Sequence, residues 1–127
     1  MRIGTSASGN RIVFRRAAAR DTTLGAEGYR LDVQPGVVTI TSSAPAGAFY
    51  ATQTLLQLLP ADVYRSAPVG AQKWTIPVVK IEDRPRFAWR GMHLDVSRHF
   101  MPKEFVKKYI DLHRAAQNEL VPLASHR

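Results

Sequence analysis

Trp89-Arg90-Gly91-Met92-His93-Leu94-Asp95-Val96-Ser97-Arg98-His99-Phe100, with Pro102 just beyond, is the stretch on which the reading of this chain turns. It reads as one strand over residues 90–96, one short loop and then a helix, with a charged side chain where the strand ends. In a (β/α)₈ barrel the loops that follow the strands form the working face. Of the 127 residues only the last 27 follow Phe100, against roughly 250 for a whole barrel. The expectation is a barrel begun but not completed within this sequence.

Working outward, a hydrophobic share of 45% and a charged share of 22% belong to a folded chain, not a disordered one. The length suits one domain, or a small domain plus a piece of another. The chain has no cysteine, which excludes disulfides and thiolate metal sites. No apolar run approaches the roughly 18 residues of a membrane span. Met1–Asn10 holds no apolar stretch of the signal-peptide kind. A longer parent could still be periplasmic or secreted, so the compartment stays open. The net charge of +8, from 18 basic and 10 acidic side chains, raises nucleic acid as a partner. The bases are scattered, however, with no run longer than Arg15-Arg16 or Lys107-Lys108. The expectation is a solvated basic surface, with neither nucleic acid nor membrane as partner.

Before the deciding stretch, Arg11–Arg15 is a short β-type run and residues 17–28 read as a loop. Tyr29–Val33 alternates apolar and polar residues, Gln34-Pro35-Gly36 supplies turn chemistry, and Val37–Thr41 returns as the partner strand of a hairpin. Ser42 or Ser43 is expected to cap a helix over Ala46–Leu59, with Leu55, Leu56 and Leu59 as its core stripe and Pro60 as its stop. Trp74–Ile81 reads as a further strand that Pro77 places at an edge, and Glu82–Arg86 as a linker. The first unit is therefore expected to be α+β, a small antiparallel sheet packed on one helix. After the linker, a helix is expected from Pro102 to about Asn118, with Pro102 at its first position and Phe105, Val106, Tyr109, Ile110 and His113 on its apolar face. The tail from Leu120 offers no evident partner strand.

Arg98 is the foremost candidate for chemistry. A guanidinium at the end of a strand can donate paired hydrogen bonds to a carboxylate or to vicinal sugar hydroxyls; by position alone, a salt bridge to Asp95 is equally expected. Asp95 is then either an orienting partner of Arg98 or a strand-end acid. His93, His99, His113 and His126 fall at spacings that match no common ligand pattern, so no metal is expected. Gly25-Ala26-Glu27-Gly28 precedes a strand, not a helix, and makes no phosphate loop. Ser97 beside Arg98-His99 is a poor nucleophile and base, because adjacent side chains on extended chain diverge. Glu82-Asp83, the only adjacent carboxylates, cannot be assumed to stand the roughly 5–10 Å apart that a glycosidase acid pair needs. No catalytic residue and no cofactor is assigned within this chain.

Three segments, in order, carry a family resemblance. Leu24–Val33 (LGAEGYRLDV) and Gly47–Pro60 (GAFYATQTLLQLLP) resemble the non-catalytic N-terminal domain of β-N-acetylhexosaminidases, glycoside hydrolase family 20. Arg84–Phe100 (RPRFAWRGMHLDVSRHF) resembles the opening of their catalytic barrel. The resemblance covers about residues 11–118. It implies a hexosaminidase-like α+β domain over 1–83, then a linker and a truncated first β/α unit of a (β/α)₈ barrel over 84–127. It also implies that Arg98 binds hydroxyls of a terminal N-acetylhexosamine, GlcNAc or GalNAc, so that such glycans are the substrates of the full-length family.

In that family the substrate's own acetamido oxygen attacks the anomeric carbon, an Asp orients that group, and a neighbouring Glu protonates the leaving oxygen, an exception to the two-carboxylate scheme. The family continues, after a helix like Phe105–Asn118, with a strand bearing His-Trp-His and later the Asp-Glu pair. Here Asn118 is followed by ELVPLASHR. A truncation or frame change is therefore expected, and the chain alone is expected to be inactive. The alternative is a stand-alone carbohydrate- or protein-binding α+β module. Self-association through the exposed edge of the incomplete barrel is open in either case.

Overall fold

The computed structural model describes residues 9–18, 22–67, 70, 74–117 and 123–124, the last two for their backbone only. Its centre is the expected hairpin. Strands β2 (Tyr29–Gln34) and β3 (Val37–Ser42) pair antiparallel, Leu31 opposite Ile40 and Val33 opposite Val38. Between them Pro35-Gly36 makes a two-residue turn, with Gly36 at φ 77°, the left-handed region that the second central residue of a type II turn requires.

The period-2 alternation sorts the two faces. Tyr29, Leu31, Val33, Val38 and Ile40 are buried on one face, and helix α1 (Pro45–Gln57) covers them with Tyr50, Ala51 and Leu55. Each fully buried Leu or Ile side chain here contributes roughly 1.5–3 kcal/mol of hydrophobic stabilisation. On the opposite face, opposite charges sit across the strands. Arg30 pairs with Glu82 at 2.6 Å and Asp32 with Lys80 at 3.8 Å.

Two further strands complete a sheet of order β1-β3-β2-β4. Strand β4 (Val79–Asp83) lies antiparallel to β2 at one edge. Strand β1 (Arg11–Arg16) lies at the other edge and runs parallel to β3. The sheet is thus mixed, and the antiparallel expectation is corrected at β1. Between β1 and β2 the sequence has twelve residues, 17–28, instead of a tight turn. No turn geometry fixes the direction of β1, and the hairpin inserts β3 between β1 and β2.

Other boundaries move as well. Trp74–Val78 is not strand; β4 begins only after Pro77, whose missing N–H cannot join a ladder. Glu82 and Asp83, expected in the linker, are the last residues of β4. Helix α1 has Ala44 as its N-cap and Pro45 at the helix start, so neither Ser42 nor Ser43 caps it; the Ser43 hydroxyl is buried without a hydrogen-bond partner. The buried stripe is Gly47, Tyr50, Ala51 and Leu55, while Leu56 and Leu59 are only half-buried. A short 3₁₀ turn follows Pro60, over Ala61–Tyr64.

Two motif glycines explain why α1 lies so close to the sheet. A Cβ on Gly47 would collide with the carbonyl oxygen of Gly28 and stand 3.1 Å from the Ser42 Cβ. A Cβ on Gly28 would in turn collide with the Leu24 carbonyl, which accepts the Gly28 N–H at 2.8 Å. Leu24 is itself buried.

The chain divides into two units, Met1–Pro85 and Arg86–Arg127. The second contains β5 (Leu94–Asp95), helix α2 (Lys103–Ala115) and β6 (Leu123–Ala124), with β6 parallel to β5. The expected strand over 90–96 is therefore two residues long, with an isolated bridge at Gly91. The tail, expected to have no partner, supplies the neighbouring strand. Pro102 is the N-cap of α2, not its first helical residue. Along α2, His113 is buried and Val106, Tyr109 and Ile110 are half-buried, whereas Phe105 faces solvent.

Candidate functional site

The loop after β5 is built around one carboxylate. Asp95 Oδ1 accepts the backbone N–H of Ser97 at 2.9 Å and that of Arg98 at 3.2 Å, an Asx-type turn in which a side chain replaces a ladder partner. Its other oxygen, Oδ2, meets Arg98 Nε at 3.2 Å. The Arg98 side chain is 82% exposed. One acid thus fixes the loop backbone and the guanidinium together at the C-terminal end of a strand. The pair expected from position is present, and with Arg98 so exposed it adds at most about 1 kcal/mol of stability. Its consequence is geometric: the planar guanidinium is held by its inner nitrogen and leads outward.

Helix α2 holds the approach to β5. His113, 3% exposed, accepts the Met92 N–H on Nε2 at 2.9 Å, and Tyr109 donates its hydroxyl to the His93 carbonyl at 3.5 Å. Tyr109 and His113 are one helical turn apart, so two successive backbone groups are met from one face. Arg90 reaches the Phe87 carbonyl through Nη1 at 2.7 Å and the Gln117 carbonyl through Nε at 3.0 Å. Gln117 has φ 57°, the left-handed conformation that commonly ends helices. Sequence reasoning placed His113 on an apolar face and missed its acceptor role; a histidine four residues after Tyr109 on that face was the available signal.

The remaining candidates are dispersed. His93 and His99 are exposed, and His126 lies outside the described residues. Among the described residues no three of His, Asp and Glu gather as a metal site, and no helix is long and apolar enough to cross a membrane. Glu82 and Asp83 alternate to opposite faces of β4. Glu82 pairs with Arg30, and Asp83 accepts the Tyr29 hydroxyl at 3.1 Å. A pocket of about 480 Å³ in the first unit is walled by Val33, Val38, Leu55, Leu59, Trp74 and Ile76. Among the described residues its only charged lining residue is Arg11, so they give it no acid–base pair.

The sequence family described as glycosyl hydrolase family 20, domain 2, matches residues 2–84, and the catalytic domain of the same family matches residues 87–118. The chain belongs to glycosyl hydrolase family 20. The β-hexosaminidase of Porphyromonas gingivalis is 46% identical over 110 residues, covering 87% of this chain and 14% of that protein. The β-N-acetylhexosaminidase of Cellulomonas fimi is 36% identical over 100 residues, covering 79% of this chain and 19% of the relative. The family 20 β-N-acetylhexosaminidase of Streptomyces coelicolor superposes with a TM-score of 0.77 at 43% identity, over 92% of this chain and 23% of its own. A mutant Streptomyces plicatus β-hexosaminidase in complex with its product GlcNAc gives the same TM-score and identity over 88% and 22%. The chain thus spans 14–23% of the length of these family 20 proteins.

Proposed function

We propose that residues 1–83 are the non-catalytic α+β domain, and residues 84–127 the linker and the opening of the catalytic (β/α)₈ barrel, of a β-N-acetylhexosaminidase acting on terminal GlcNAc or GalNAc. Arg98 binds hydroxyls of that terminal sugar, and Asp95 orients it. The observation that carries the reading is the order strand, Asp95–Arg98 loop, helix, parallel strand, with the guanidinium leading outward from the strand's C-terminal end. A (β/α)₈ barrel repeats that unit and works at that end.

The chemistry expected of Arg98 is binding and orientation. Its fork can donate two parallel hydrogen bonds to neighbouring hydroxyls, whereas a lysine offers only a point charge. The acid that protonates the leaving oxygen and the Asp that orients the acetamido group have no counterparts among these 127 residues. The chain by itself therefore turns over nothing.

A chimera tests the assignment. Residues 1–118 replace the matching segment of the Porphyromonas gingivalis relative, and hydrolysis of a chromogenic N-acetylglucosaminide is followed. The chimera is expected to be active. Arg98→Ala should lower kcat/KM by about 10- to 200-fold, the loss of roughly 1.5–3 kcal/mol of charged hydrogen bonding. An Arg98→Ala chimera as active as its parent removes Arg98 from the sugar site.

A further inference from the structure

We propose that Tyr109 and His113 form a proton-sensitive latch that holds the segment before β5, and with it the Asp95–Arg98 loop, closed only while the His113 ring is neutral. The argument rests on one hydrogen bond whose direction is fixed. A backbone N–H can only donate, so His113 Nε2, at 2.9 Å from the Met92 nitrogen, must be the acceptor. The ring proton then sits on Nδ1. A doubly protonated imidazolium has no acceptor, and its Nε2–H would point at the Met92 N–H in a site only 3% exposed. Two facing donors cannot stay in place, so protonation requires either the ring or residues 91–93 to leave. Tyr109, one turn earlier, is bonded to the next carbonyl along, that of His93. Departure of the ring frees the Met92 attachment and leaves the segment on the long Tyr109 bond, while departure of residues 91–93 breaks both bonds; β5 begins at the very next residue.

Among the described residues, the ionisable neighbours leave the ring without a charged partner. On α2 the ring's own neighbour is Tyr109, at 5.8 Å between centroids, while Asp111 and Arg114 are exposed and lie within 4.0 Å of each other. On the facing segment Arg90 is bound to the Phe87 and Gln117 carbonyls, His93 is exposed, and Asp95 holds the Ser97–Arg98 turn. Neither residue of β6 titrates. Among the described residues, no carboxylate contact therefore offsets the cost of charging the ring.

The sign follows from linkage. A histidine free in water is more than nine-tenths charged at pH 5 and almost wholly neutral at pH 8, so a closed form that excludes the proton is disfavoured roughly thirtyfold more at pH 5. The latch stands whether or not Arg98 contacts sugar. Only its consequence, weaker sugar binding in acid, rests on the proposed function.

The test follows amide hydrogen exchange and histidine ¹⁵N shifts in the full 127-residue chain. At pH 8, His113 should show the Nδ1–H tautomer and Met92 a protected amide. Between pH 8 and pH 5 the Met92 protection factor, corrected for intrinsic exchange, should fall about thirtyfold. His113→Gln keeps an acceptor oxygen near the position of Nε2 but does not titrate, so protection should vary less than about twofold across that range. An Nε2–H tautomer or an unprotected Met92 at pH 8 overturns the latch. So does protection unchanged at pH 5 in the native chain, or an equal acid loss in His113→Gln.

Discussion

Replacing Gly47 by Ala sets two physical effects against each other, and the structure decides which wins. In a helix interior, Gly→Ala is worth about 1 kcal/mol in favour of Ala, so propensity alone predicts a more stable protein. The added Cβ, however, would strike the Gly28 carbonyl oxygen and approach both the Gly28 carbonyl carbon and the Ser42 Cβ at 3.1 Å. Two of those three atoms are backbone and cannot rotate aside. Relief requires α1 to lift from the sheet, which withdraws Tyr50, Ala51 and Leu55 from the core they cover. Overpacking of this kind costs typically 1–3 kcal/mol, and the collision with the Gly28 backbone puts Gly47 at the upper end. The net expectation is a loss of about 2 kcal/mol, equivalent to a drop of about 8–16 °C in Tm for a domain of this size. Urea unfolding followed by circular dichroism at 222 nm measures it. A Gly47→Ala protein as stable as the native one, or more so, would refute the close approach of α1 to the Leu24–Gly28 turn.

Three further outcomes are expected. Tyr29→Phe removes the hydroxyl that joins Thr54 Oγ1 at 2.5 Å and Asp83 Oδ2 at 3.1 Å; it should cost about 1–3 kcal/mol in urea unfolding by leaving those groups short of a partner, and an unchanged midpoint would count against the network. Asp95→Asn keeps an acceptor for the Ser97 and Arg98 N–H groups and should change stability by less than about 1 kcal/mol, the weight of an exposed ion pair; loss of protection at both amides would show that the charge, not the turn, holds the loop. Trypsin should cut first after Arg86, since Pro85 shields Arg84, and leave a resistant fragment of the first unit; early cleavage after Arg30, inside β2, would show that the first unit is not the more stable one.

The hairpin was legible because its signals are local. Alternation in Tyr29–Val33 and Val37–Thr41, with Pro35-Gly36 between, leaves one register in which every apolar side chain falls on the α1 face. What was not legible depends on partners distant in sequence. Nothing within Arg11–Arg16 says that it runs parallel to β3, because a strand's own residues do not fix the direction of a partner distant in sequence. Leu56 and Leu59 match the helical period as well as Leu55 does, yet Gly47 selects which side of α1 meets the sheet, and the stripe rotates toward Tyr50 and Ala51. In the loop after β5, the Arg98–Asp95 pair was legible because only two residues separate them around a strand end. The His113–Met92 bond was not, since it spans 21 residues and uses a main-chain donor that no side-chain pattern reveals.

The two units differ in how much of themselves they bury, and that difference bears on the function. In the first, eight side chains from β2, β3 and α1 form one buried cluster. Among the described residues of the second, only His113 is buried. Phe87, Trp89, Met92, Phe105 and Leu112 are exposed, and Phe100 is 87% exposed. Parallel strands are stable where helices or further strands cover both faces, and a two-stranded pair is marginal in water. A β–α–β unit carrying this much open apolar surface fits the proposed role of one sector of a closed barrel sheet. Arg98 likewise faces solvent. An arginine fork gains most where water is excluded, so the sugar contact proposed for Arg98 should strengthen with enclosure of the loop that Asp95 organises. Sugar affinity should therefore rise with each added barrel strand, not with stabilisation of the first unit.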